Sequence, residues 1–316
     1  MKKTVILDAL TLGNALDINK LSQFGEVEVY VTTSPSEVET RIASAHIVIT
    51  NKVLINEQNL KNAPHLQLIC IAATGMNNVD LVAAKNLGIE VKNVKNYSTN
   101  AVAQHVFAML LSVQNSIQFY DQYVKQGVYI ESPIFTHLGP EICELNGKVM
   151  GIIGLGEIGK KVAQIAQVFG MKVIYFSTSG KNQNNEYQSV TLDEILTQSD
   201  VLSIHSPLYE NTINLLTYSE LCKMKKTAIL INTSRGGIVN HTDLARALNE
   251  NLIRAACIDV FEKEPITNSE PLLDVVSQEK LILSPHVAWA AKEARERLFD
   301  GIIENINVYL EKTKSN

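Results

Sequence analysis

At 316 residues, with 46% hydrophobic and 19% charged residues, the chain has room for two domains of ordinary size and the composition of a globular protein with a sizeable core. A formal net charge of -5 without any basic stripe argues against nucleic acid as a main partner, and the start MKKTVILDALTLGNALD has only a short apolar run, interrupted by Asp8, which predicts neither a signal segment nor a membrane span. Cys70, Cys143, Cys222 and Cys257 are scattered without metal-type spacing, which predicts reduced thiols, no metal site and a cytoplasmic location.

In chain order, apolar runs of strand length fall at Thr4–Leu7, Val27–Val31, His46–Thr50, Leu66–Ala72 and Ile89–Val94, alternating with amphipathic pieces. This βα repeat predicts an open parallel sheet with no phosphate loop of its own. Thr99–Phe119 is apolar on several sides and free of Pro and Gly, so it reads as one largely buried helix, of a kind that often packs against a second subunit. A second series of runs follows at Val149–Ile153, Lys172–Phe176, Asp200–Ile204, Ala228–Ile231, Ala255–Asp259 and Leu281–Leu283, predicting a second doubly wound domain. Lys181–Gln188 reads as a polar surface loop, and Leu298, Ile302, Ile303, Ile306 and Leu310 predict a closing amphipathic helix over Ala291–Lys312.

The second series opens on a motif with a chemical meaning. Gly154, Gly156 and Gly159 form G-x-G-x-x-G between the apolar run Val149–Ile153 and an amphipathic stretch, Glu157–Phe169, that reads as a helix. Gly154 allows the tight turn, Gly156 lets the backbone approach a pyrophosphate, and Gly159 lets the helix pack closely on the sheet. The anion then sits at the positive helix N-terminus, so Gly154, Leu155, Gly156, Glu157, Ile158 and Gly159 are predicted to bind a dinucleotide. A carboxylate that grips the ribose 2′-hydroxyl of NAD is expected after Phe176, but Ser177 and Thr178 stand there and no acid appears before Glu186. Both hydroxyls can donate to either cofactor and Lys181 could meet a phosphate, so the choice between NAD and NADP stays open.

Downstream, INTSRGG (Ile231–Gly237), IDVFEKEP (Ile258–Pro265) and SPHVAW (Ser284–Trp289) follow strand ends, while ATGMNNVD (Ala73–Asp80) and AVAQH (Ala101–His105) stand upstream of the glycine loop. Together these resemble the D-isomer-specific 2-hydroxyacid dehydrogenases over nearly the whole chain, and HVAW with NTSRGG is most similar to glycerate dehydrogenases, also called hydroxypyruvate reductases. The resemblance implies two doubly wound parallel-sheet α/β domains. A Rossmann cofactor domain, residues 98–286, is then inserted into a flavodoxin-like substrate domain made of residues 1–97 and 287–316, with catalysis in the cleft between them. The apolar helix over Thr99–Phe119 adds the expectation of a homodimer through the cofactor domain.

The chemistry of a 2-keto acid explains the residue types. Negative charge grows on the carbonyl oxygen as hydride adds, while the substrate carboxylate must be held in place. Arg235 offers a permanently charged fork to both groups. His286 would be the acid that protonates the new alkoxide. Glu264, directly before Pro265, would orient that imidazole; the residues alone leave Glu262 as its rival, and the resemblance favours Glu264. By the same resemblance Thr233, Ser234, His205, Ser206, Pro207 and Thr212 line the cofactor site, and Asp259 accepts from the nicotinamide carboxamide. The backbone N–H groups of Thr74, Gly75 and Met76 would form an anion nest for the substrate carboxylate. Trp289 would shape the pocket, Tyr97 and Met76 would narrow its entrance, and Asn77 and Asn78 would begin the next helix. The implied activity is NAD(P)-linked reduction of hydroxypyruvate or glyoxylate. Phosphoglycerate or D-lactate dehydrogenase, or a non-catalytic dinucleotide sensor of the corepressor kind, are the rival functions.

Overall fold

The computed structural model describes residues 2–13, 17–181 and 184–314. Two compact units divide the chain, one formed by Met1–Ser98 with Ala290–Asn316 and the other by Thr99–Trp289.

In the first unit, strands β1 (Lys2–Ile6), β2 (Gly25–Val29), β3 (Ile47–Thr50), β4 (Leu68–Ile71) and β5 (Glu90–Asn93) pair in the order β2-β1-β3-β4-β5. Every pairing is parallel. β3 and β4 are buried along their whole length, which is why they read as unbroken apolar runs instead of alternating ones. Asp8, just past β1, is nearly buried and accepts the N–H groups of Asn51 and Lys52 past β3, so one carboxylate ties two strand ends together. The closing helix, Lys292–Lys314, packs on β4 and β5. It comes so close that a Cβ at Gly301 would stand 2.6 Å from Val94 Cγ1.

In the second unit, β6 (Val149–Ile153), β7 (Lys172–Phe176), β8 (Gln188–Ser189), β9 (Val201–Ile204), β10 (Ile229–Asn232), β11 (Ala255–Ile258) and β12 (Leu281–Leu283) form one sheet in the order β12-β11-β10-β9-β6-β7-β8. All pairings are again parallel. The strand order reverses between β6 and β9, and in such sheets ligands bind outside the carboxyl ends of the strands at that reversal. Two apolar clusters flank this sheet, one around Ile153, Leu230 and Ile258 and the other around Ile152, Ile231 and Cys257. Consecutive residues of one strand thus feed opposite faces.

Two elements differ from those the sequence predicts. Thr99–Phe119 is not one helix: a helix runs over Thr99–Gln114, the chain turns at Ser116 in a left-handed conformation with φ 48°, and a second helix covers Ile117–Lys125. The break falls on the polar run Gln114-Asn115-Ser116, where Asn115 Nδ2 joins its own backbone N–H in donating to Leu111 O. Only the first of the two helices has a buried face. The polar stretch before Ser189 ends in the two-residue edge strand β8, which is too short and too exposed to show a hydrophobic period. Part of the surface loop expected at Lys181–Gln188 lies outside the described residues.

Candidate active site

The glycine turn is built as its sequence requires. Gly154 follows β6 with φ 91°, and a Cβ there would stand 2.8 Å from Ser206 N, so only glycine lets the end of β6 pass the end of β9. Gly159 lies one turn into the helix Glu157–Val168, where a Cβ would come within 2.4 Å of Gly154 O. A Cβ on Gly156, by contrast, would meet nothing within 4 Å. Open space above Gly156, at the N-terminus of a twelve-residue helix, is what a pyrophosphate needs. Leu155 is buried, Ile158 half-buried, and exposed Glu157 pairs with Lys160.

Past β7, the hydroxyl of Ser177 is buried without a hydrogen-bond partner, and so is that of Thr233 past β10. Such orphaned groups are expensive unless a ligand satisfies them, so the residues present fit a dinucleotide along this edge. Thr178 Oγ1 lies 3.0 Å from Ser206 Oγ, and Asn211 donates to Thr178 O, joining the ends of β7 and β9. His205 hydrogen-bonds Ser203 Oγ at 2.8 Å, and burial pushes its imidazole down to about 3, so it is neutral at any physiological pH and supplies no charge to a phosphate. Pro207 is exposed, whereas Thr212 is fully buried and its hydroxyl is engaged by Pro207 O and Tyr209 N.

Because β10, β11 and β12 are parallel neighbours, the three segments that follow them share one edge of the sheet. After β10, Asn232 organises the arginine loop: its Oδ1 accepts from Ser234 N and Oγ, and its Nδ2 donates to Arg235 O at 2.9 Å. The Arg235 guanidinium spends one donor on Ser234 O at 2.7 Å, leaving most of its fork for a ligand. Gly236 presses against the segment after β11, where a Cβ would stand 2.0 Å from Phe261 O. In that segment Phe261 N donates to Glu264 Oε1 at 3.0 Å. The other carboxylate oxygen, Glu264 Oε2, stands 2.7 Å from His286 Nδ1 past β12. Glu264 is therefore the acid in contact with His286, and Glu262 is exposed. With Nδ1 tied to a carboxylate, Nε2 is the nitrogen left to serve a substrate.

His286 has φ 53°, a left-handed conformation that costs a non-glycine residue roughly 1–2 kcal/mol. The surroundings hold it there: Asp259 O accepts His286 N–H at 2.8 Å, while the Asp259 carboxylate accepts Val287 N–H and Ala288 N–H at 2.9 Å each. That carboxylate also accepts from Ser284 Oγ, and its residue is 0% exposed. Trp289 is half-buried at the end of the same segment.

The remaining predicted positions belong to the first unit. Thr74 is exposed, and its carbonyl accepts from Asn93 Nδ2 at 2.6 Å while its hydroxyl donates to Val94 O. Gly75 is half-buried, and Met76 packs against the apolar cluster around Val48 and Ile69. Tyr97 is only 7% exposed, a packed residue instead of one lining an entrance. Asn77 and Asn78 form a turn, and the helix starts later, at Leu81, capped by Asp80. No group of histidines, cysteines and acids among the described residues could hold a metal, and none of their helices is long and apolar enough to cross a membrane. All four cysteines are free, with burial pushing the Cys70 and Cys257 thiols up to about 12.

Residues 107–288 match the family model of the D-isomer specific 2-hydroxyacid dehydrogenase NAD binding domain. A hydroxypyruvate reductase of Blautia hydrogenotrophica is 37% identical over 99% of this chain and 98% of its own. A glycerate dehydrogenase of Methylorubrum extorquens is 38% identical over 98% of this chain and 96% of its own. Among solved structures, an acyclic imino acid reductase in complex with NADPH and D-Arg superposes with a TM-score of 0.87 at 32% identity, covering 99% of this chain and 98% of its own.

Proposed function

Since the chain belongs to the D-isomer-specific 2-hydroxyacid dehydrogenase family, we propose that it reduces a small 2-keto acid, hydroxypyruvate or glyoxylate, to the D-2-hydroxy acid with a reduced nicotinamide dinucleotide. The observation that carries this reading is the 2.7 Å contact of His286 Nδ1 with Glu264, on a segment packed against the loop of Arg235. When bound, the nicotinamide supplies a hydride to the carbonyl carbon. Arg235 holds the substrate carboxylate and draws charge toward the carbonyl oxygen. His286 gives its Nε2 proton to that oxygen as the alkoxide forms, and Glu264 stabilises the imidazolium that precedes transfer. Thr74, Gly75 and Met76 contribute backbone donors to the carboxylate in this reading. Gly154–Gly159 hold the pyrophosphate, and Ser177 with Thr178 meets the adenosine ribose.

On the cofactor, we read the absence of an acid at the end of β7 as acceptance of NADPH alongside NADH. Ser177→Asp is expected to shift the ratio of kcat/KM toward NADH by at least about tenfold, because a carboxylate there bonds a bare ribose and repels a 2′-phosphate. An unchanged ratio would separate Ser177 from the ribose. The assay that tests the whole proposal is absorbance-monitored oxidation of NADH and NADPH with hydroxypyruvate, glyoxylate, pyruvate and phosphohydroxypyruvate in turn. Turnover of the first two is expected to exceed the rest; a blank with every pair favours a dinucleotide sensor.

The helix Ile117–Lys125 and the segment after it support a homodimer built on the second unit. Phe135 is 91% exposed, Leu138 88% and Ile130 81%, beside a stacked group of Phe119, Tyr123 and His137. An apolar surface of this density marks a protein contact, and a solution mass of two chains is its check.

A further inference from the structure

The segment Ser284–Trp289 carries the acid of the proposed reaction, so whatever anchors it decides where that acid stands. Three successive backbone N–H groups, those of His286, Val287 and Ala288, all donate to Asp259 at 2.8, 2.9 and 2.9 Å. The Asp259 carboxylate receives a further hydrogen bond from Ser284 Oγ. A serine has a single hydroxyl proton, and here it is spent on the carboxylate. His105 Nε2, 3.0 Å from the same hydroxyl oxygen, must then be its N–H donor, which fixes the His105 tautomer. His105 Nε2 also lies 3.7 Å from Asp259 Oδ1. It stands 179 residues before Ser284, on the helix Thr99–Gln114, so a rigid element far away in sequence is joined to the loop through one hydroxyl.

We propose that His105 and Ser284 are positioning residues, which complete the ring of donors around the buried Asp259 carboxylate and thereby hold His286 in its left-handed backbone, with its imidazole on Glu264. Asp259 acts in this arrangement through the loop it clamps. A buried carboxylate deprived of one donor takes donors from elsewhere or admits water, and the two N–H bonds that hold Val287 and Ala288 are the ones available to rearrange. The proposal rests on the reading of His286 as the acid, but its anchoring geometry is observable in the protein without substrate.

The test uses the full chain with Ser284→Ala, Ser284→Thr, His105→Ala and the double alanine variant. Two quantities are measured: steady-state reduction of a 2-keto acid, and amide hydrogen exchange of Val287 and Ala288 in the chain alone. Losing one such bond is expected to lower kcat of Ser284→Ala about tenfold with KM changed less than about twofold, and to speed exchange at both amides about tenfold. Ser284→Thr restores both, and the double variant is no worse than the more damaged single one, since both side chains act through the same carboxylate. Unchanged exchange in Ser284→Ala, a fall in kcat without faster exchange, failure of threonine to restore, or additive losses in the double variant would each overturn the clamp. If the unaltered chain reduces no 2-keto acid, the functional reading fails by itself, and the exchange comparison still decides the clamp.

Discussion

His286→Ala is expected to lower kcat for hydroxypyruvate by a factor on the order of 10² or more, equivalent to about 2.7 kcal/mol of transition-state stabilisation. The expectation comes from the proton inventory of the site. Hydride addition leaves an alkoxide that needs a proton, and the 2.7 Å bond from Nδ1 to Glu264 leaves Nε2 as the donor of the pair. His105, His205 and His241 are the other histidines placed near this sheet edge, and the Nε2 of His105 is taken up by Ser284 Oγ at 3.0 Å. His205 is held neutral by burial, and His241 is 2% exposed with its Nδ1 bonded to Glu270, so none of the three can take over. Alanine removes an imidazole that has no part in the glycine turn, so the dissociation constant of the reduced dinucleotide should stay within about twofold. Glu264→Gln preserves a hydrogen-bonding group at the same place but not the charge that stabilises an imidazolium, and should cost less than the loss of the imidazole itself. Wild-type turnover in His286→Ala would mean that some other group delivers the proton, and the roles assigned to His286 and Glu264 would both be withdrawn.

Arg235→Lys is expected to raise KM and lower kcat together, reducing kcat/KM by about 10- to 100-fold, since a charge-assisted hydrogen bond contributes about 1.5–3 kcal/mol. The charge survives this change, so the loss isolates geometry. A lysine ammonium is a point donor, whereas the arginine fork bonds a carboxylate and a neighbouring carbonyl oxygen in one plane. The loop is built to present that plane: Asn232 bonds its backbone at two places, and the guanidinium itself is steadied by Ser234 O. A carbonyl substrate without a carboxylate is a poor substrate of either form and should lose little from the change. A kcat/KM within about twofold of wild type for hydroxypyruvate would take Arg235 out of the substrate site.

Much of this site was legible in the residues because the signals are local. A run such as Met150–Ile153 reads as a buried parallel strand because both of its faces are covered, and the three glycines read as a phosphate turn because, within six residues, Gly154 and Gly159 answer close backbone approaches while Gly156 leaves open space at the helix N-terminus. Local signals also set the failures. The helix predicted through Phe119 ends at Gln114, and the left-handed turn at Ser116 that follows lies in a polar run, a local feature that hydrophobic period does not register. Tyr97 resembled an entrance residue by its position in the chain, yet packing buries it.

What the amino-acid sequence determined by itself is the parallel α/β character, the place of the dinucleotide turn, and the identity of the charged residues that end the strands. Which of these residues touch was decided by the sheet order, since β10, β11 and β12 lie side by side and bring together loops that are separated by more than a helix in the chain. Glu264 instead of Glu262 meets His286, the His286 backbone is turned left-handed, and Asp259 serves three N–H groups and a hydroxyl, all through contacts between segments that follow different strands. Propensity and periodicity act over a few neighbouring residues, whereas a hydrogen bond between loops is set by where the strands end in space.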